Sequence, residues 1–118
     1  MPGASGSDRR RWARVDVHLS VQVARRAETI HTTVASDLSE GGMFIHELLP
    51  YDTGSLLHLS FRVIGIERWI ECDARVTHSR TEFREGFPNA PIGNGLEFVE
   101  LDDGDREALE AYVRDRNP

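Results

Sequence analysis

The most regular stretch of this 118-residue chain is Val15-Asp16-Val17-His18-Leu19-Ser20-Val21-Gln22-Val23. Apolar and polar side chains alternate there without interruption. Successive side chains of a β-strand point to opposite faces of a sheet, so strict alternation is typical of a strand with one buried face and one face in water. The stretch therefore predicts a β-strand that lies against a hydrophobic core.

Five more strands are predicted downstream. They are marked by the same alternation or by β-branched residues, at 28–36, 43–46, 57–63, 70–78 and 95–100. Gly65 is the expected tip of a hairpin, because glycine adopts the backbone angles that tight turns need. The segment from Phe83 to Asn94, which contains two prolines, is predicted to be an irregular loop.

A helix is predicted near the end of the sequence. Asp102 is suited to cap its first turn, and Asp105 stands where the acidic residue of a capping box would stand. Leu109, Tyr112 and Val113 then recur at helical spacing. Six strands followed by one helix exclude a parallel βαβ arrangement and favour an antiparallel barrel or sandwich.

Length and composition indicate one compact domain, because 39% of the 118 residues are hydrophobic. Residues 1–8 are small or polar and are expected to form a flexible tail. No apolar run approaches the roughly 20 residues that a membrane span needs, and no secretion signal is evident, so we expect a cytoplasmic protein without a membrane segment. Cys72 is the lone cysteine, which rules out an internal disulfide and a multi-cysteine metal cluster.

Charge is distributed unevenly along the sequence. The formal net charge is -6, and the basic residues are all arginines. Six arginines crowd the first quarter of the chain: Arg9, Arg10, Arg11, Arg14, Arg25 and Arg26. A local arginine cluster on an acidic protein points to a discrete anion-binding site rather than to a broad nucleic-acid surface.

The arginine cluster contains an RxxxR motif, Arg10-Arg11-Trp12-Ala13-Arg14, directly ahead of the first strand. A guanidinium group can bind a phosphate with two parallel hydrogen bonds and can stack on a purine ring. A pair of arginines therefore suits a phosphorylated purine ligand. By itself, an arginine run of this kind is also compatible with a solvated terminal segment.

A second motif, DxSxxG, is formed by Asp37, Ser39 and Gly42 within Asp37-Leu38-Ser39-Glu40-Gly41-Gly42. The composition predicts a turn. A carboxylate can accept two hydrogen bonds from the N1 and N2 edge of guanine, a hydroxyl can bind a base edge or a phosphate, and glycine permits a close approach of the backbone. In isolation the same residues also make an ordinary turn.

Together the two motifs resemble the signature of PilZ domains. Residues 15 to 36 separate Arg14 from Asp37, which is 22 residues, and a predicted hairpin fills this interval. Trp12 lies two places before the second arginine, and Gly95-Leu96-Glu97-Phe98 followed by a capped helix resembles the closing segment of the family. The resemblance covers about residues 9 to 116.

This resemblance implies a mainly β domain, a six-stranded antiparallel PilZ-type β-barrel over 15–100 with a C-terminal α-helix over 102–116. It also implies a bacterial receptor for the second messenger cyclic di-GMP. Arg10 and Arg14 are expected to hold phosphates and stack on guanine, while Asp37, Ser39 and Gly42 contact the bases and backbone of the ligand. The remaining candidate ligand contacts are Arg9, Arg11 and Gly41, and Arg9 could support a second, stacked ligand molecule.

The expected mechanism is a switch without chemistry. An arm at residues 9–14 is expected to be disordered without ligand and to fold onto the barrel around cyclic di-GMP, which presents a new surface to a protein partner. No cofactor or metal is expected. The outputs that the family implies are motility, exopolysaccharide production and gene control.

An enzyme is the less favoured reading. Cys72 and His78 are predicted to share the inward face of one strand, but six residues place them about 20 Å apart, too far for a nucleophile and its base. The histidines lack the spacing of a metal motif. Two non-enzymatic alternatives remain open: a small RNA-binding barrel, and a PilZ-fold interaction module that does not bind nucleotide.

Overall fold

Six antiparallel strands and one helix form the part of the chain that the computed structural model describes, residues 14–25, 28–81 and 92–116. In chain order they are β1 (Val15–Arg25), β2 (His31–Leu38), β3 (Gly42–His46), β4 (Leu56–Phe61), β5 (Ile70–Arg80), β6 (Gly93–Glu100) and α1 (Asp103–Arg116). The strands close into a barrel in the order β1-β2-β3-β6-β5-β4. The predicted six-stranded antiparallel barrel with a C-terminal helix is confirmed.

The barrel interior is filled by the apolar side chains that the alternation predicted. Val21 of β1 pairs with Phe61 of β4, and both are fully buried. Val17 and Leu19 are only partly buried, although they share the parity of Val21. A register shift between Asp16 and Leu19 in the β1–β2 ladder turns this part of β1 partly away from the core.

The polar residue Asn94 lies inside the barrel wall, and the prediction that it belongs to a loop was wrong. β6 begins at Gly93, and Asn94 is completely buried. Its side-chain oxygen accepts the Tyr51 backbone N–H at 2.9 Å, and its side-chain nitrogen donates to the Tyr51 carbonyl at 3.0 Å and to the Ser79 hydroxyl at 2.9 Å. Residues 83–91 of the predicted loop lie outside the described residues.

His78 lies on the outer face of β5, and its predicted inward position was wrong. Cys72 and Val76 face the core as predicted, with 5% and 1% exposure. A bulge in the β5–β6 ladder between Val76 and His78 then inserts one extra residue, which reverses the face on which the next side chain emerges. His78 is therefore exposed to solvent.

α1 packs Leu109 and Val113 into the core of the barrel. Asp102 caps the helix as predicted, because its carboxylate accepts the Gly104 backbone N–H at 3.0 Å. In the described residues, no helix has the length and apolar composition that crossing a lipid bilayer requires.

Asp105 does not play the capping-box role that its spacing predicted. It is 7% exposed, and its carboxylate accepts hydrogen bonds from Arg68 Nε at 2.8 Å and Nη2 at 2.7 Å. Two charge-assisted bonds to a guanidinium are stronger than one bond to a backbone amide. The ion pair therefore attaches the first turn of α1 to the loop between β4 and β5.

Replacing Arg68 with alanine should lower the free energy of unfolding by about 2 kcal/mol, because the buried Asp105 carboxylate loses its partner. Urea denaturation measures the loss. Arg114→Ala is the matched control, since Arg114 is 67% exposed and lies 3.8 Å from Glu110, and an exposed pair of this kind contributes less than about 0.5 kcal/mol. Equal effects of the two substitutions would contradict the attachment role.

Candidate ligand-binding site

The DxSxxG residues form the hairpin that joins β2 to β3. Asp37 and Leu38 belong to β2 and Gly42 begins β3, so the turn proper is residues 39–41, shorter than the sequence predicted. β2 also pairs with β1, and in that ladder Asp16 lies opposite Asp37. This pairing returns the chain so that Arg14, just before β1, lies beside Asp37.

Ser39 uses its whole hydrogen-bonding capacity within the turn. Its side chain is 1% exposed, accepts the backbone N–H groups of Gly41 at 3.1 Å and Gly42 at 3.0 Å, and donates to the Gly42 carbonyl at 3.3 Å. A hydroxyl has one donor and two acceptor positions, and all three are occupied. The serine of the motif thus shapes the turn, and a direct ligand contact would require one of these bonds to break.

Asp37 is the charged residue of the hairpin that faces outwards. Its Oδ1 accepts the Phe44 backbone N–H at 3.1 Å and a hydrogen bond from Arg14 Nη1 at 2.8 Å. The two side chains are 29% and 51% exposed. The Phe44 amide fixes the orientation of the carboxylate, while the exposed arginine can leave without uncovering a buried charge.

A row of four residues crosses the outer wall of the barrel at this point. Asp37 of β2 pairs with Phe44 of β3, Phe44 pairs with Gly95 of β6, and Gly95 pairs with His78 of β5. A pocket of about 320 Å3 lies over this row, and its lining comprises Arg14, Ser36, Asp37, Phe44, His78, Arg80 and Gly95. The pocket therefore combines Arg14 and Asp37, one residue from each motif, with residues of β3, β5 and β6.

Aromatic and guanidinium groups form the floor of the pocket. The Phe44 and His78 rings have centroids 6.0 Å apart, and the Arg80 guanidinium carbon lies 5.1 Å from the Phe44 centroid. Gly95 makes this packing possible, because a Cβ there would lie 2.1 Å from Cε1 of His78. Phe44 is 6% exposed, whereas His78 is an exposed residue.

The pocket favours anions. Among the described residues that line it, Arg14 and Arg80 contribute two positive charges and Asp37 one negative charge, a net +1 on a protein whose formal net charge is -6. Partial burial lowers the pKa of His78, and repulsion from Arg80 and Arg14 lowers it further, against a smaller opposing effect of Asp37. These effects favour the neutral form of the imidazole.

The structure brings together only part of the site that the sequence predicted. Arg14 and Asp37 meet in the pocket, while Ser39, Gly41 and Gly42 hold the neighbouring turn. Four positions lie outside the described residues: Arg9, Arg10, Arg11 and Trp12. The predicted tail and most of the predicted arm lie there as well.

Five pocket residues were not predicted from the sequence: Ser36, Phe44, His78, Arg80 and Gly95. The sequence pattern places Phe44 and Gly95 in predicted strands and assigns neither a role at the surface. The bulge in β5 conceals His78, because its parity with Cys72 assigns it to the core. The sequence carries a usable sign only for Gly95, since a glycine inside a strand often marks a close approach of other groups.

A larger groove of about 830 Å3 lies elsewhere, between residues 62–68 and Ala108. Among the described residues, none that belongs to either motif lines this groove. Within the described part of the chain, the groove is tied to the helix by the Arg68–Asp105 ion pair already described. The motif residues Arg14 and Asp37 line the smaller pocket and not this groove.

The family model described as "PilZ domain" matches residues 8–115 of the chain. This range contains every described strand and nearly all of α1. Among curated protein sequences, none matches the chain.

Several solved structures are similar to this one. The Inhibitor of motility (MotI/DgrA) of Bacillus subtilis is 28% identical with a TM-score of 0.72, and the match covers 89% of this chain and 49% of that protein, so the chain spans about half its length. The PilZ domain of YcgR from Escherichia coli, solved with c-di-GMP, is 16% identical with a TM-score of 0.65 and coverage of 92% and 91%. The PilZ domain of CeSA from a cellulose-synthesizing bacterium is 16% identical with a TM-score of 0.57 and coverage of 86% and 95%.

Proposed function

The chain belongs to the PilZ family, and on that basis we propose that it is a receptor for cyclic di-GMP. The observation that carries the proposal is the contact between Arg14 and Asp37, one residue from each motif, at 2.8 Å in a single pocket. The similar PilZ domain of YcgR was solved with c-di-GMP, which further supports this ligand.

Arg14 and Asp37 bind different parts of the ligand in this proposal. Without ligand, Arg14 donates to the Asp37 carboxylate. When cyclic di-GMP enters, the Arg14 guanidinium transfers to a phosphate, and Asp37 accepts the N1 and N2 hydrogens of guanine. Breaking the exposed Arg14–Asp37 pair costs at most about 1 kcal/mol, so charge-assisted bonds to the ligand outweigh it.

The arm at residues 9–14 completes the site in this proposal. Arg10 is the second phosphate-binding arginine, Arg9 and Arg11 add positive charge, and the arm orders around the ligand. The ordered arm and the adjacent barrel wall then form a surface that a protein partner in the cytoplasm recognises. The protein acts as a non-enzymatic adaptor, because binding and ordering suffice for this switch.

Isothermal titration of the protein with cyclic di-GMP tests the proposal. We expect saturable binding in the micromolar range or tighter, a rise in melting temperature, and weaker binding as the salt concentration increases. Cyclic di-AMP is the matched control ligand. Its adenine presents an acceptor at N1 where guanine presents a donor, so its affinity should be lower by roughly 30-fold or more.

Two results would contradict the proposed function. Absence of both heat and a melting shift with cyclic di-GMP would exclude the receptor role and favour an interaction module that ignores nucleotides. Tighter binding of single-stranded RNA than of the dinucleotide would favour the RNA-binding barrel.

A further inference from the structure

His78 lines the pocket although it belongs to neither motif. The β5 bulge places it on the outer face, opposite Gly95 of β6. A Cβ on Gly95 would lie 2.1 to 2.7 Å from three atoms of the His78 ring. Because residue 95 has no side chain, the imidazole lies against the barrel wall instead of extending into water.

The open aromatic surface of the pocket belongs to His78. Phe44 lies beside it, with centroids 6.0 Å apart and an angle of 36° between the rings, but Phe44 is 6% exposed and Arg80 lies over its ring. His78 is exposed. A flat ligand group can therefore stack on the His78 ring more fully than on the Phe44 ring.

The groups that face His78 come from four elements. They are Arg14 before β1, Asp37 of β2, Phe44 of β3 and Arg80 of β5. The two arginines supply the positive charge for phosphates. Burial lowers the pKa of His78 and the two arginines lower it further, which favours a neutral imidazole that can serve as a stacking surface.

We propose that His78 is a base-binding residue whose imidazole stacks on a guanine of cyclic di-GMP while Asp37 binds the edge of the same base. The inference rests on the proposed function, since it assigns a further residue of that site. Asp37 and His78 line the same pocket of about 320 Å3 and are joined across the barrel wall by the paired residues Phe44 and Gly95. The base lies across Phe44 and Gly95 in this arrangement.

The test compares the affinities of four proteins for cyclic di-GMP by calorimetry at about pH 7.5. His78→Ala should bind roughly 10-fold more weakly than the wild type, because one base loses its stacking partner. His78→Phe restores a flat ring and should bind within about threefold of the wild type. Gly95→Ala should resemble His78→Ala, because its methyl group takes the place of the ring.

His58→Ala is the matched control. His58 is an exposed histidine on the outer face of β4, bonded to Asp73 and Glu71, and it does not line the pocket. Its removal should leave the affinity unchanged. Melting temperatures of all variants show whether an affinity loss reflects loss of the fold.

The pH dependence separates stacking from phosphate binding. If His78 stacks as a neutral ring, the affinity for cyclic di-GMP should not increase as the pH falls from about 7.5 to about 5.5. A cationic His78 on a phosphate would instead take up a proton on binding, so affinity would rise as the pH falls, and His78→Phe would remove that rise. The second pattern would overturn the inference.

The outcomes also separate this inference from the proposed function. If the wild type binds and His78→Ala binds equally well, His78 has no role at the base and the receptor function stands. If the folded wild type does not bind cyclic di-GMP, both are overturned.

Discussion

Asp37→Asn should reduce the affinity for cyclic di-GMP by roughly 100-fold while leaving the barrel folded. The amide has nearly the same shape as the carboxylate, and its oxygen can still accept the Phe44 backbone N–H that orients residue 37. The other end of the side chain changes from an acceptor to a donor. It then faces the N1–H and N2–H donors of guanine, so donor opposes donor and the hydrogen bonds that the carboxylate accepted are lost.

A competing effect of the same substitution is too small to reverse this result. Asp37→Asn also removes the ion pair with Arg14 in the free protein, which releases the arginine for the ligand. An exposed pair of this kind contributes about 1 kcal/mol at most, whereas the lost charge-assisted bonds and the unpaired donors amount to about 3 kcal/mol. The loss of affinity therefore prevails.

Titration calorimetry of Asp37→Asn beside Asp73→Asn measures this difference. Asp73 is an exposed carboxylate on the outer face of β5 that bonds His58 outside the pocket, so its amide should bind cyclic di-GMP like the wild type. Melting temperatures of both variants should stay within a few degrees of the wild type, since neither carboxylate is buried. Wild-type affinity in a folded Asp37→Asn would exclude Asp37 as the residue that binds guanine.

The fold was predictable because its information is local. The strict alternation from Val15 to Val23 and the repeated pattern around Leu57 and Leu59 each identify a strand and its buried face. The order and spacing of the two motifs carried the family resemblance, and the β1–β2 hairpin brings Arg14 and Asp37, one residue of each motif, together.

The rest of the site was not predictable because it depends on contacts between distant segments. The alternation of side chains along a strand predicts which face each one occupies only while the pairing with the next strand stays in register. The β5 bulge shifts that register just before His78. Asn94 and Asp105 are polar residues whose partners, Tyr51 and Arg68, lie far away in sequence. Composition alone therefore assigned them to a loop and to a helix cap.

Gly42→Ala should destabilise the barrel by about 3 kcal/mol or more and lower the melting temperature by about 10 °C. A Cβ at residue 42 would lie 1.9 Å from the backbone oxygen of Leu96 and 3.3 Å from Cα of Glu97. These are backbone atoms of β6, paired with β3, so they cannot rotate away as a side chain would. β3 and β6 must separate, although the Phe98 N–H to Gly41 carbonyl bond at 2.9 Å holds them together.

The same substitution distinguishes two roles for the last glycine of the DxSxxG motif. If Gly42 serves the packing of β3 on β6, thermal denaturation should show a large loss of stability, and affinity should fall because the turn at residues 39–41 is displaced. Gly104→Ala is the control, since its Cβ meets only the flexible ends of Asp102 and Arg68, at 3.1 and 3.2 Å. These side-chain ends need to shift by only a few tenths of an ångström and alanine favours the helix, so any loss of stability should be far smaller than that of Gly42→Ala. A Gly42→Ala protein that melts like the wild type but fails to bind would instead mean that this glycine is needed for the approach of the ligand, and that the barrel tolerates the methyl group.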